Sequence, residues 1–187
     1  MFMSKARGLS LIELLVFIVV VGVAVTGVLS VYSRNARASA DPVVRKQAAA
    51  IAESLLEEVL AKPFTYCDPD DANAETATSS AGCATMPETA MGPEAGETRT
   101  ANLTPFDNVN DYQGFSLAGI SDLTGAAVAG LGGYSATVQV QPVANFNGIA
   151  PAVPGDNETL LVTVTVTGPG NHSVSLAGYR TRYAPNL

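Results

Sequence analysis

The stretch LSLIELLVFIVVVGVAVTGVLSV, residues 9–31, decides how the rest of the chain is read. It is apolar almost throughout. At about 1.5 Å per residue it makes a helix of roughly 34 Å, enough to cross a hydrocarbon core of about 30 Å. The residues before it, MFMSKARG, carry Lys5 and Arg7 and no acid, which favours a cytoplasmic N-terminus. Arg34 and Arg37 on the far side weaken that charge rule. Glu13 does not fit a plain anchor, because an ionised carboxylate inside an apolar run costs roughly 3 kcal/mol unless it is paired or close to the interface. Either Glu13 lies shallow enough to reach the headgroups, or it has a positive partner. Cutting the chain after Gly8 would give Leu9 a free α-amine with a reference pKa of about 7.7–8.0. Leu9 and Glu13 then stand i and i+4 on one helix face, so the amine could pair with its own Glu13 or with that of an adjacent copy. Gly22 and Thr26 have small-xxx-small spacing, a weak signal for close helix approach.

Outward from this segment the composition changes. The chain has 187 residues, room for one modest globular domain and an appendage. Its hydrophobic content of 47% is concentrated at the N-terminus, whereas residues 67–113 are rich in Asp, Ala, Thr, Gly and Pro. The formal net charge is −7, and no Lys/Arg cluster follows residue 46, which argues against nucleic-acid binding. One His and no Trp leave little for metal or general-base chemistry. No convergent nucleophile and base can be picked out, so a non-enzymatic protein without catalytic residues or cofactors is expected.

After the anchor, DPVVRKQAAAIAESLLEEVLAKP, residues 41–63, turns amphipathic. Val44, Ala48, Ile51, Leu55 and Val59 follow helical steps, with Ala52 and Leu56 beside them. Asp41 suits an N-cap with Pro42 at the first helical position, implying a break or kink near residue 41, and Lys62-Pro63 closes the segment. Residues 134–141 and 159–167 alternate strictly and read as half-buried antiparallel strands. Tyr134, Ala136, Val138 and Val140 share one face of the first, and Leu160, Val162, Val164 and Val166 one face of the second. Residues 168–171 are a turn. Residues 172–183 follow as a further strand whose alternation slips at Gly178, suggesting a bulge, and residues 114–120 add a short strand. The expected fold is α+β: a long N-terminal helix, its first half membrane-spanning and its second half packed on a small antiparallel sheet.

Residues 64–113 are the least regular. Cys67 and Cys83 match no zinc or redox spacing. In an exported domain a disulfide is expected, against the alternative of two unrelated reduced thiols. Asp68, Asp70, Asp71 and Asn73 offer oxygen ligands but lack the glycine and distal glutamate of an EF-hand loop. A solvated acidic loop is therefore expected and no metal ligand is assigned. In residues 106–114, FDNVNDYQG, the polar positions suit Asx-turns, with Phe106, Val109 and Tyr112 packing beneath. His172, at a turn-to-strand junction, is read as ordinary.

The N-terminal K-A-R-G-L-S-L-I-E-L-L resembles the processing site of type IV prepilins and type II secretion pseudopilins. That resemblance implies cleavage between Gly8 and Leu9 by a prepilin peptidase, methylation of the Leu9 amine and a role for Glu13 in docking into a growing filament. Leu9 stands where the family usually has Phe. G-E-T-R at residues 96–99 followed by F-D-N-V-N-D-Y-Q-G, with AIAESLLEEVLAKPF upstream, is similar to MSHA-type minor pilins, in particular their D component. The division implied is a leader at 1–8, a transmembrane and filament-core helix at 9–31, an amphipathic continuation at 32–62 and a globular domain at 63–187. The expected role is a minor pilin, at the tip or initiation complex of the filament. The expected partners are prepilin peptidase, major and other minor pilins, inner-membrane assembly machinery and membrane lipid. The expected location is single-pass in a bacterial inner membrane with the globular domain periplasmic, and later the pilus at the cell surface. A type II secretion pseudopilin and a tip adhesin remain alternatives. A third, a secretory signal cut after Ala38-Ser39-Ala40, fits poorly because the apolar run is too long and contains Glu13.

Overall fold

The computed structural model describes residues 10–144, 146 and 158–182, with the side chains of residues 36–40 excepted. Gly8 and Leu9 lie outside them, as does Tyr183 at the expected end of the last strand. Among the described residues the secondary structure is one helix, α1 (Leu11–Leu60), and four strands, β1 (Ser116–Ala118), β2 (Ser135–Pro142), β3 (Thr159–Gly168) and β4 (His172–Thr181). Short 3-10 turns occur at Ser80–Gly82, Asn110–Tyr112 and Pro169–Asn171. Two compact units are distinguished, one ending at Val43 and the other beginning at Val44.

In the first unit the helix contains a 25-residue apolar span, Leu11–Asn35, long enough to cross a membrane and with none of its window buried within the chain. The Ser10 carbonyl accepts from the N–H groups of Glu13 and Leu14, starting the helix. The Thr26 hydroxyl donates to the carbonyls of Gly22 and Val23, back-bonding within its own helix. The helix is not broken at Pro42: Pro42 lies inside it, so of the expected break or kink the break does not occur. A proline interior to a helix deletes one backbone bond, a loss set against the many bonds of a 50-residue helix.

In the second unit the apolar stripe falls where helical periodicity puts it. Ala48, Ala52, Leu55 and Val59 are buried, and Val44, Ile51, Leu56 and Leu60 pack at the margin of the same core. The four strands form one antiparallel sheet in the order β1-β2-β3-β4. Register stacks Val138 on Val164 and Val140 on Val162, so one face is apolar. Ser135, Thr137, Gln139 and Gln141 point the other way and are exposed. This half-buried alternation is typical of an antiparallel sheet covered on one side.

No bulge interrupts β4: pairing with β3 runs unbroken through Val162↔Gly178. Val174, Leu176 and Gly178 keep the same inward phase. Gly178 lacks a side chain because the helix comes too close, a Cβ there standing 2.9 Å from Leu60 Cδ1. Gly168, at the end of β3, is tighter still: a Cβ would meet Tyr134 Cε1 at 2.7 Å and Val44 Cγ1 at 2.8 Å.

Candidate functional site

Two regions carry chemistry. In the first unit, Glu13 sits in the opening turn of an otherwise apolar helix. Leu11, Ile12, Phe17 and Val28 are all more than 60% exposed. An apolar surface of that extent calls for lipid or for other apolar helices. The Leu9 amine, the partner expected for Glu13, is outside the described residues.

The second region lies beside the helix end, where chain segments distant in sequence converge. Arg99 grips Glu58 with two bonds, Nε to Oε1 and Nη2 to Oε2, each 2.7 Å. The Tyr112 hydroxyl donates to the same Oε1 at 2.8 Å. Burial alone pushes the Glu58 carboxyl up, but the hydrogen bonds from Arg99 and Tyr112 and the charges of Arg99 and Lys62 outweigh it and lower it. Arg99 also donates to the carbonyls of Ser121 and Asp122. Thus G-E-T-R and the D-Y of the second motif are two halves of one structural joint on α1. Phe106, Tyr112 and Phe115 pack edge to face beside it, and Phe106, Val109 and Tyr112 are buried as expected.

Next to this joint six carboxylates gather: Asp68, Glu88, Glu94, Glu97, Asp107 and Asp111. The Cys67–Cys83 disulfide is formed, and a bridge pairs Cys67 with Pro87. Backbone bonds from Asp68 N–H to the Met86 carbonyl and from Glu88 N–H to the Tyr66 carbonyl flank that bridge, bringing Asp68 and Glu88 together. Gly96, at φ 101°, makes the turn on which the Glu97 N–H donates to the Glu94 carbonyl and the Glu94 N–H to Glu97 Oε2. Asp111 Oδ2 accepts from the N–H groups of Asp107 and Asn108, the Asx-type arrangement expected there. Asn110 Nδ2 donates to Glu88 Oε2 and to the Ala90 carbonyl.

Within the cluster, burial raises the carboxyls of Glu88, Glu97, Asp107 and Asp111. Glu88 is pushed up to about 8, reinforced by the charges of Glu94, Asp111 and Asp68 and opposed by the Asn110 bond. Glu97 rises to about 8, with its hydrogen bond to Glu94 and the charge of Asp111 adding to burial. Asp111 rises to about 7 and Asp107 to about 6, the latter held back by Lys62. Lys62 itself donates to the Phe106 carbonyl at 2.6 Å. Among the described residues no Lys or Arg forms an ion pair with any of the six; the ion pair present is Arg99–Glu58.

Of the four oxygen donors singled out in the sequence, only Asp68 belongs to this cluster. Asp71 is consumed by the loop: its two oxygens accept from the backbone N–H groups of Asn73, Ala84, Thr85 and Met86. Those bonds hold it well below the usual carboxylate range. Asn73 donates to the Gly82 carbonyl. Glu88, Glu94 and Glu97 were not anticipated as a group. The available signal was charge imbalance, since between residues 68 and 111 the sequence holds nine acids and a single basic residue, Arg99. His172 lies at the start of β4, away from the acidic cluster in sequence and element. No protein-family model matches the chain, and neither a curated protein nor a solved structure matches it significantly.

Proposed function

We propose that this chain is a non-enzymatic pilin-like subunit, a minor pilin of the MSHA type. It would be processed between Gly8 and Leu9 and then carried from the inner membrane into a filament. The observation that carries the reading is the apolar Leu11–Asn35 span with Glu13 in its first turn, one turn after the Gly8–Leu9 junction. A purely lipid-facing anchor gains nothing from a carboxylate there. A helix that must leave lipid and pack among identical helices gains a register mark, with Glu13 set against a neighbour's N-terminal amine. The globular unit supports the same reading: an amphipathic helix covering one face of a four-stranded antiparallel sheet, with a disulfide-closed loop suited to an oxidising compartment. Prepilin peptidase, a major pilin, other minor pilins, the assembly machinery and lipid are the partners this role requires. Nucleic acid is not among them.

Processing and incorporation separate under mutation. Gly8→Glu should leave the leader attached and the N-terminus unmethylated, as read by intact-mass spectrometry. Glu13→Ala should be cut normally yet be lost from sheared filaments. A normally processed Gly8→Glu chain, or a mature N-terminus at Asp41, overturns the proposal. Co-purification with a secretion-system pseudopilin in place of a major pilin would move the assignment to type II secretion.

A further inference from the structure

The acidic cluster has a feature that solvated acidic loops lack: buried oxygens with nothing to receive. Asp111 is fully buried and Glu88 is 5% exposed, yet Asp111 Oδ1 and Glu88 Oε1 have no hydrogen-bond donor among the described residues. The same holds for Glu94 Oε2, Asp107 Oδ1 and Asn110 Oδ1. Buried acceptors are normally satisfied, and an unmatched buried carboxylate is among the most costly groups a fold can hold. Arg99 and Lys62 are the neighbouring cations, and each is already spent elsewhere, on Glu58 and on the Phe106 carbonyl.

The oxygens converge as ligands do. One oxygen each from Asp68, Glu88 and Glu94 lie within 4.8 Å of one another, as do those from Asp68, Glu97 and Asp107 and from Glu94, Glu97 and Asp111. The sets overlap at Asp68, Glu94 and Glu97, so the six carboxylates form one connected cluster in which each set converges three oxygens. We propose that this cluster binds calcium, with Asp68, Glu88, Glu94, Glu97, Asp107 and Asp111 as the carboxylates from which sets of three oxygens reach an ion and further oxygens, water included, complete its sphere. Calcium takes six to eight oxygens at about 2.3–2.6 Å, so opposite ligands stand about 5 Å apart, and the observed spacing fits that sphere. Magnesium, at about 2.0–2.1 Å, closes to about 4.2 Å across and keeps much of its water. Zinc and copper draw on imidazole and thiolate, whereas here the cysteines are joined to each other and the donors are all oxygen. The ligands come from loops tied by the disulfide, the Gly96 turn and the joint on Glu58, so a bound ion would fasten residues 88–111 to the base of the helix.

The test uses the full chain in detergent micelles, stripped with EDTA and titrated with CaCl2 by calorimetry and by thermal unfolding. Saturable binding with a Kd at or below about 1 mM is expected, together with a calcium-dependent rise in the unfolding midpoint. Glu97→Gln combined with Asp111→Asn should weaken binding at least about tenfold, because affinity follows ligand charge, and should abolish the midpoint rise. In EDTA the same double variant should unfold at or above the wild-type midpoint, since it sheds like-charge repulsion, which separates a lost ligand from a lost fold. Glu88→Gln, which keeps an acceptor for Asn110, is the independent second variant and should also weaken binding. Absence of heat and of any midpoint change at about 10 mM CaCl2, well above the range of extracellular calcium modules, overturns the proposal. An equal response from the double variant, or an equal shift from NaCl at matched ionic strength, does so as well.

Discussion

Asp71 and Glu58 are the side chains whose partners specify most of the loop region, and they do so in different ways. Asp71 gathers four backbone N–H groups, one from inside the disulfide loop at Asn73 and three from just beyond Cys83. Its carboxyl is held below the ordinary value of about 3.9. A group depressed in the folded state contributes its stabilisation above the unfolded-state pKa and loses it as pH falls through the folded one. The globular unit is therefore expected to lose this contribution only below about pH 4, and Asp71→Asn should flatten that limb of a stability-against-pH curve measured by urea unfolding. Glu58 instead pairs with a guanidinium whose side chain is 7% exposed. Glu58→Ala leaves Arg99 and the Tyr112 hydroxyl without their acceptor, and a loss of about 2–4 kcal/mol in denaturant unfolding is expected. Arg99→Lys should recover only part of the fold's stability, because an ammonium cannot reproduce the two-pronged contact.

Among the elements, the contact between α1 and the sheet depends on two glycines and a column of small and branched residues. Leu160 is completely buried on β3, and Leu160→Ala should cost about 2–5 kcal/mol. Gly168→Ala would drive a methyl against an aromatic ring and Val44, so about 1–3 kcal/mol is expected from overpacking. Gly178→Ala meets only the mobile end of Leu60 and should cost less than Gly168→Ala in the same assay. The disulfide closes a loop of sequence separation 16. Replacing Cys67 and Cys83 together by Ser should remove roughly 3 kcal/mol on the chain-entropy account, read as a lower urea midpoint.

For the whole molecule, the division at Val43 and Val44 separates surfaces that want different solvents. The full chain is expected to partition with membranes and to need detergent for extraction, because the Leu11–Asn35 span is uncovered within the chain. A chain beginning at Val44 should remain in solution and retain the far-ultraviolet dichroism of a helix and sheet, since its core, from Ala48 to Leu176, is built without the apolar span. Loss of that signal on removing residues 1–43 would show that the two units fold as one.

Local pattern determined much of this protein. The apolar run with Glu13, the stripe Ala48, Ala52, Leu55 and Val59, and the alternation of β2 and β3 are legible because burial of one face imposes a period on neighbouring residues. The Cys67–Cys83 disulfide was legible as the state expected of a lone cysteine pair in an exported domain. Gly178 misled because a glycine in a strand reads as a bulge, whereas the cause is a helix side chain that the strand's own sequence does not contain. At Pro42 the capping pattern suggested a break or kink, and the helix runs through it unbroken, because a capping pattern is judged locally whereas the helix extends far to either side. The carboxylate cluster was beyond periodic pattern, its trace in the sequence being only the charge imbalance between residues 68 and 111. Its six residues are scattered from Asp68 to Asp111, and only loop closure by a disulfide, a glycine turn and the Glu58–Arg99 joint brings their oxygens within reach of one another. A period is a property of adjacent residues; the cluster exists only once distant segments have been packed together.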